Sequence, residues 1–130
     1  MIAAIGLLAL FQQHAPIKVA CVGASSTFGS GTKDPATQSY PAQLQRFIGP
    51  GYEVGNFGHG GTTVARTTES PYWSVGEYKA AKDFAPQIVV INLGTNDATP
   101  TNWPKAKNVF VPQYEELISV FRSLASHPKV

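Results

Sequence analysis

Three short apolar segments, each followed by glycine and small polar residues, constrain the fold of this chain more than any other feature. They span residues 17–23, 52–57 and 87–93. Their starts are about one βαβ unit apart, a unit that takes roughly 30 residues or more. The third segment is an apolar run between Pro86 and Gly94, which is typical of strands buried on both faces, as in parallel sheets.

The segments between and after these strands carry helical patterns. Residues 40–48 and 75–84 each place apolar side chains on one side of a helix, and Leu44, Phe47 and Ile48 form that side in the first. After the third strand, apolar residues recur at helical spacing between Val111 and Phe121, which predicts an amphipathic helix. Right-handed crossovers then give an α/β sheet with helices on its faces.

Composition narrows the class of protein. The chain has 130 residues, 43% of them apolar and 14% charged, which suits one folded domain and excludes a charge-rich disordered segment. The net charge of +2 is scattered, so no nucleic-acid footprint is predicted. A lone cysteine, Cys21, and three separated histidines predict neither a disulfide nor a metal site, so no metal cofactor is expected.

Residues 1–11 form an apolar, uncharged stretch. It is too short to span a bilayer, which takes about 20 residues, and its length fits the apolar core of a signal peptide. We therefore predict a signal peptide or apolar extension over residues 1–15, a folded domain over 16–130, and export to the periplasm or the exterior. An N-terminal helix of the mature fold is the alternative.

The loop that follows each predicted strand offers a group suited to acyl transfer. Ser25 follows the first strand, Gly61 lies in a glycine-rich loop after the second, and Asn96 follows the third. Parallel strands end at one edge of a sheet, where ligands bind. A serine hydroxyl can attack an acyl carbon, and backbone or amide N–H groups can bind the resulting oxyanion. Each loop alone also fits a cap or a turn.

Three sequence blocks resemble those of a known family. Val-Gly-Ala-Ser-Ser-Thr-Phe-Gly at 22–29, Asn-Phe-Gly-His-Gly-Gly-Thr-Thr-Val at 56–64 and Val-Ile-Asn-Leu-Gly-Thr-Asn-Asp at 90–97 are similar to the first three blocks of the SGNH, or GDSL-type, hydrolases. The segment from Asn102-Trp103 onward resembles the acetylesterase branch, including sialate O-acetylesterase-like proteins. This resemblance implies a three-layer α/β/α flavodoxin-like parallel sheet, truncated after its third strand and the helix that follows.

The resemblance also assigns roles to residues. It makes Ser25 the nucleophile, and the Ser25 N–H, the Gly61 N–H and the Asn96 side chain the oxyanion donors. The family's fourth block, Asp-x-x-His, supplies the base and its orienting carboxylate, and residues 1–130 contain no such motif. The chain is therefore expected to be an amino-terminal fragment. Ala24 stands where the family has aspartate, and His59 is expected to be a solvated loop histidine.

The expected function follows from these roles. The complete protein is predicted to hydrolyse carboxylic esters, in particular acetyl esters of a carbohydrate, through an acyl-enzyme on Ser25. Its partners are expected to be small-molecule or carbohydrate esters, without nucleic acid and without a stable membrane span. The alternative is a non-catalytic carbohydrate- or ligand-binding domain of the same fold. A nucleotide-binding module is disfavoured because the first loop lacks the lysine of a phosphate-binding loop.

Overall fold

The computed structural model of this chain describes residues 14–130. Three strands form one parallel sheet in the order β2–β1–β3, and helices fill the connections. The strands are β1 (Ile17–Gly23), β2 (Tyr52–Gly58) and β3 (Ile88–Asn92). The helices are α1 (Ser25–Phe28), α2 (Pro35–Gln38), α3 (Tyr40–Ile48), α4 (Gly76–Asp83), α5 (Trp103–Ala106) and α6 (Phe110–Arg122), with a 3₁₀ turn at Tyr72–Ser74. The predicted parallel α/β architecture is confirmed.

The central strand β1 is buried on both faces. Ala20 and Val22 point to one side and Cys21 to the other, and all three are inaccessible to solvent. β1 pairs along its whole length with β2, and from Val19 onward with β3. An apolar strand buried on both faces requires a helical layer on each side of the sheet.

The two helical layers differ in composition. On one face, α4 and α6 bury Ala81, Leu117 and Phe121 in a cluster with Val22 and Val89. On the other face, α1 and α3 lie against β1 and β2. There the Tyr40 side chain lies beside Cys21 and Thr27, and burial raises the pKa of Tyr40 to about 12. The result is a three-layer α/β/α arrangement.

The buried stripe of α3 is narrower than the sequence pattern predicts. Leu44 and Ile48 are half-buried, whereas Phe47 is 87% exposed. The reason is that the strand contacts of α3 are mainly with β2, an edge strand, so little of the sheet lies under the outer side of its apolar pattern. In α6, the apolar spacing predicts that Ile118 lies on the buried face. The structure instead fully buries Leu117, one position earlier.

The structure describes the carboxyl-terminal end of the chain but not the first 13 residues. Residues 1–13 of the predicted signal peptide or extension lie outside the described part. Residues near Lys129 run along the outer edge of β3, where the Val89 N–H donates to the Lys129 carbonyl at 2.8 Å and the Lys129 N–H donates to Gln87 at 3.0 Å. Within residues 14–130, no helix combines the length and apolar character that a membrane crossing needs.

Candidate active site

The three loops that carry the predicted site residues meet at the carboxyl edge of the sheet. The His59 N–H donates to the Gly23 carbonyl at 2.9 Å, which joins the loop after β2 to the end of β1. The Asn96 side chain donates from Nδ2 to the Thr62 carbonyl at 2.9 Å, which joins the loop after β3 to the same loop. The glycine-rich loop is therefore bonded to both of its neighbours.

Ser25 is the first residue of α1 and is half-buried. Its carbonyl accepts hydrogen bonds from the N–H groups of Gly29 at 2.9 Å and Ser30 at 3.0 Å. Among the described residues, none accepts a hydrogen bond from the Ser25 N–H or hydroxyl. Gly60 lies close by, since a Cβ built on it would be 4.0 Å from the Ser25 Cβ. Both the hydroxyl and the backbone donor are thus available at the junction of two loops.

The end of β2 fixes the position of α1. A Cβ at Gly58 would lie 2.7 Å from the carbonyl carbon of Thr27 and closer still to the nitrogen of Phe28, so only glycine allows this approach. The Asn56 Nδ2 donates to the Thr27 carbonyl at 2.9 Å, and its Oδ1 accepts from the Gly58 N–H at 3.0 Å. Asn56 is a positioning residue that the sequence patterns did not single out.

Gly61 presents its backbone outward. It has φ of +80°, a conformation that favours glycine, and it is exposed. The Thr62 hydroxyl donates to the His59 carbonyl at 2.8 Å and closes the turn around it. In the described part of the chain, no acceptor is bonded to the Gly61 N–H. This N–H can therefore serve as a donor to a ligand.

Asn96 is half-buried, and both its backbone carbonyl and its side-chain amide form hydrogen bonds. Its backbone carbonyl accepts from the Asn102 side chain at 2.9 Å and from the Thr99 hydroxyl at 3.0 Å. Its Nδ2 has two hydrogens, and the bond to Thr62 uses one of them. The second hydrogen has no acceptor among the described residues, and the bond to Thr62 fixes the orientation of the amide.

Asp97 also holds the loops of the site together, although the sequence patterns assign it no role. It is fully buried, and its carboxylate accepts from the Ala65 N–H at 2.8 Å and from the Val64 N–H at 2.9 Å. These bonds tie the backbone that follows Gly61 to the loop after β3. A buried carboxylate is tolerated here because backbone donors surround it.

Neither His59 nor Ala24 supplies a base or an acceptor to Ser25. The His59 Nδ1 lies 2.9 Å from the Glu77 Oε2, so the exposed imidazole is paired as well as solvated. The pKa of Glu77 is lowered, first by a hydrogen bond from its own backbone N–H and then by His59. Ala24 is buried at the start of α1 and offers no side-chain acceptor to the helix.

The described residues can be searched for side chains that could bind a metal ion. Over residues 14–130, no group of three histidine, cysteine, aspartate or glutamate side chains lies close enough to hold an ion. The donors at the carboxyl edge are instead N–H groups, which suit an anionic oxygen. The carboxyl edge thus brings a serine hydroxyl and N–H donors onto one set of bonded loops.

Comparisons with known proteins point the same way. A model of the GDSL-like lipase/acylhydrolase family matches residues 21–130. An acetylxylan esterase from Xylanibacter ruminicola is 41% identical over 112 residues, which cover 86% of this chain and 23% of that protein.

Two solved structures share the fold. AlinE4, an esterase of the SGNH-hydrolase family, superposes with a TM-score of 0.53 at 21% identity, covering 85% of this chain and 57% of that one. A provisionally assigned arylesterase from Agrobacterium tumefaciens gives a TM-score of 0.63 at 21% identity, covering 87% and 61%. The chain thus spans less than a quarter of the acetylxylan esterase and about 60% of the two solved chains.

Proposed function

Because the chain belongs to the GDSL-like lipase/acylhydrolase family, we propose that it supplies the nucleophile and the oxyanion hole of a serine esterase that removes acetyl groups from a carbohydrate. The observation that carries this proposal is the bonding of the glycine-rich loop, whose Gly60 lies next to Ser25, to both neighbouring loops. The likeness to an acetylxylan esterase supports an acetylated sugar polymer as the substrate.

The reaction takes place at the Ser25 hydroxyl. Its Oγ attacks the ester carbonyl carbon, and the oxygen of the tetrahedral intermediate receives hydrogen bonds from the Ser25 N–H, the Gly61 N–H and the Asn96 Nδ2. The bond to the sugar oxygen breaks, the sugar alcohol leaves with a proton, and the acetyl group remains on Ser25 as an ester. Water then attacks this ester, releases acetate and restores the hydroxyl.

The proton of Ser25 needs a base. A serine hydroxyl is a weak nucleophile until a neighbouring group takes its proton. His59 is directed to Glu77, and residues 1–130 hold no Asp-x-x-His motif. We assign the base to the part of the family's fold that lies beyond the region these 130 residues match.

Acetate release from acetylated xylan by the full-length protein tests the proposal. Ser25→Ala should abolish release, while Ser26→Ala, the same change at the exposed neighbouring serine, should leave most of it. If the wild-type protein binds xylan and releases no acetate, the protein is a binding domain and the esterase proposal is wrong.

A further inference from the structure

A cavity of about 470 Å³ opens between α1, α2 and the end of β2. Its size lies within the roughly 300–1,000 Å³ range of small-molecule pockets. Ser25 and Phe28 are three residues apart on α1, so their side chains lie on the same side of that helix. Because Phe28 lines the cavity, the cavity lies against the helix that carries the predicted nucleophile.

One wall of the cavity is apolar and exposed. The Phe28 ring is 47% exposed, and Pro35 and Ala36 extend the same surface. The backbone of Phe28 is fixed, because its carbonyl accepts from the Asn56 Nδ2 at 3.3 Å and Gly58 presses against its nitrogen. A large aromatic ring held in this way, next to a reaction site, is a surface on which a flat apolar face of a ligand can rest.

The polar groups of the cavity are hydrogen-bond acceptors. Asp34 and Glu77 are its two ionisable lining residues, and the lining contains no lysine or arginine. Asp34 accepts from the Ala36 N–H at 3.1 Å and the Thr37 hydroxyl at 2.8 Å, one bond to each carboxylate oxygen. Glu77 accepts from His59 through Oε2. Each carboxylate keeps acceptor capacity for further donors.

We propose that this cavity binds an uncharged sugar ring of the ester's alcohol part, with its C–H face on Phe28 and its hydroxyls donating to Asp34 and Glu77. A pyranose ring combines an apolar face with a rim of hydroxyl donors, which matches the two walls. An anionic ligand would meet two carboxylates without a compensating cation in the lining, so a uronic acid is disfavoured. This proposal rests on the proposed function for the identity of the ester.

Titration of the full-length protein with xylotetraose, an unacetylated neutral oligosaccharide, tests the cavity by calorimetry. Phe28→Ala should weaken binding about tenfold, the loss expected for one aromatic surface. Phe47→Ala, the same change at a residue that is 87% exposed on α3, should leave binding unchanged. Asp34→Asn keeps an acceptor at the start of α2 and should also weaken binding. An oligosaccharide with a glucuronic acid substituent should bind less well than the neutral one.

The outcomes separate this proposal from the proposed function. Binding of xylotetraose and release of acetate are measured separately, because binding needs no hydrolysis. Equal affinity of the Phe28→Ala and Phe47→Ala proteins, with both shown to be folded by thermal unfolding, would overturn the cavity assignment even if acetate is released. Loss of acetate release together with retained, Phe28-dependent binding would overturn the esterase proposal and leave the sugar site standing.

Discussion

At the scale of single residues, the site depends on polar side chains that bond to the backbone of another loop. Asn56 fixes the end of α1, Asn96 holds Thr62, and Asp97 holds Val64 and Ala65. Sequence alone pointed to Asn96 because an amide after a buried strand is suited to an oxyanion. The sequence assigned no role to Asp97, because the N–H groups that donate to its carboxylate are more than 30 residues away along the chain.

Asn96→Ala removes one oxyanion donor and the bond to Thr62. We expect the rate of acetyl ester hydrolysis by the full-length protein to fall about 10²–10³-fold, as for loss of one such donor elsewhere. Asn108→Ala, the same change at an exposed asparagine, is the control and should leave the rate unchanged. Equal rates for the two variants would show that Asn96 does not contact the oxyanion.

Asp97→Asn replaces a buried acceptor of two backbone N–H groups by an amide whose NH₂ faces one of them. We expect the free energy of unfolding, measured with urea, to fall by about 2–3 kcal/mol, since hydrogen bonds to charged groups contribute about 1.5–3 kcal/mol each. Asp83→Asn alters an exposed pair with Lys79 and should change the stability by less than about 1 kcal/mol. A similar, small loss in both variants would contradict the clamping role of Asp97.

At the scale of elements, the short helix α1 is positioned by β2 rather than by its own length. Four residues cannot form a stable helix alone, and Ala24 provides no side-chain cap. The bounds of β1 and α3 could be predicted from the apolar patterns, because burial selects the same residues. The contact of α1 with Gly58 could not, because it depends on how closely two backbones approach.

Gly58→Ala tests this contact. The added methyl group would clash with the backbone of Thr27 and Phe28, so we expect the free energy of unfolding to fall by about 1–3 kcal/mol. Displacement of α1 should also lower esterase activity by moving Ser25. Gly51→Ala, where a Cβ meets nothing within 4 Å, is the matched control and should be nearly neutral. Equal stability of the two variants would mean that α1 adjusts freely.

At the scale of the whole molecule, the sheet is covered unevenly. On its inner side β3 pairs with β1. On its outer side, Lys129 bonds to Gln87 and Val89, and past Val89 no described strand pairs with β3. Val90 on this strand is 39% exposed. The three strands could be predicted from the apolar patterns, but the patterns carry no information on which edge of the sheet remains open.

The open side of β3 predicts self-association of the 130-residue chain. Unpaired strand edges next to exposed apolar residues template pairing with other chains. In sedimentation velocity, we expect the average mass to rise with protein concentration, and Val90→Lys to suppress this rise. A wild-type chain that sediments as a monomer at every concentration would contradict the prediction.

The central claim is that Ser25 is the acyl nucleophile, and covalent labelling tests it most directly. A fluorophosphonate forms a bond from phosphorus to an activated serine oxygen and releases fluoride. After incubation of the full-length protein, peptide mass spectrometry should place the adduct on Ser25, with labelling lost in Ser25→Ala and retained in Ser26→Ala. An adduct on another residue, or ester hydrolysis that persists in Ser25→Ala, would contradict the account.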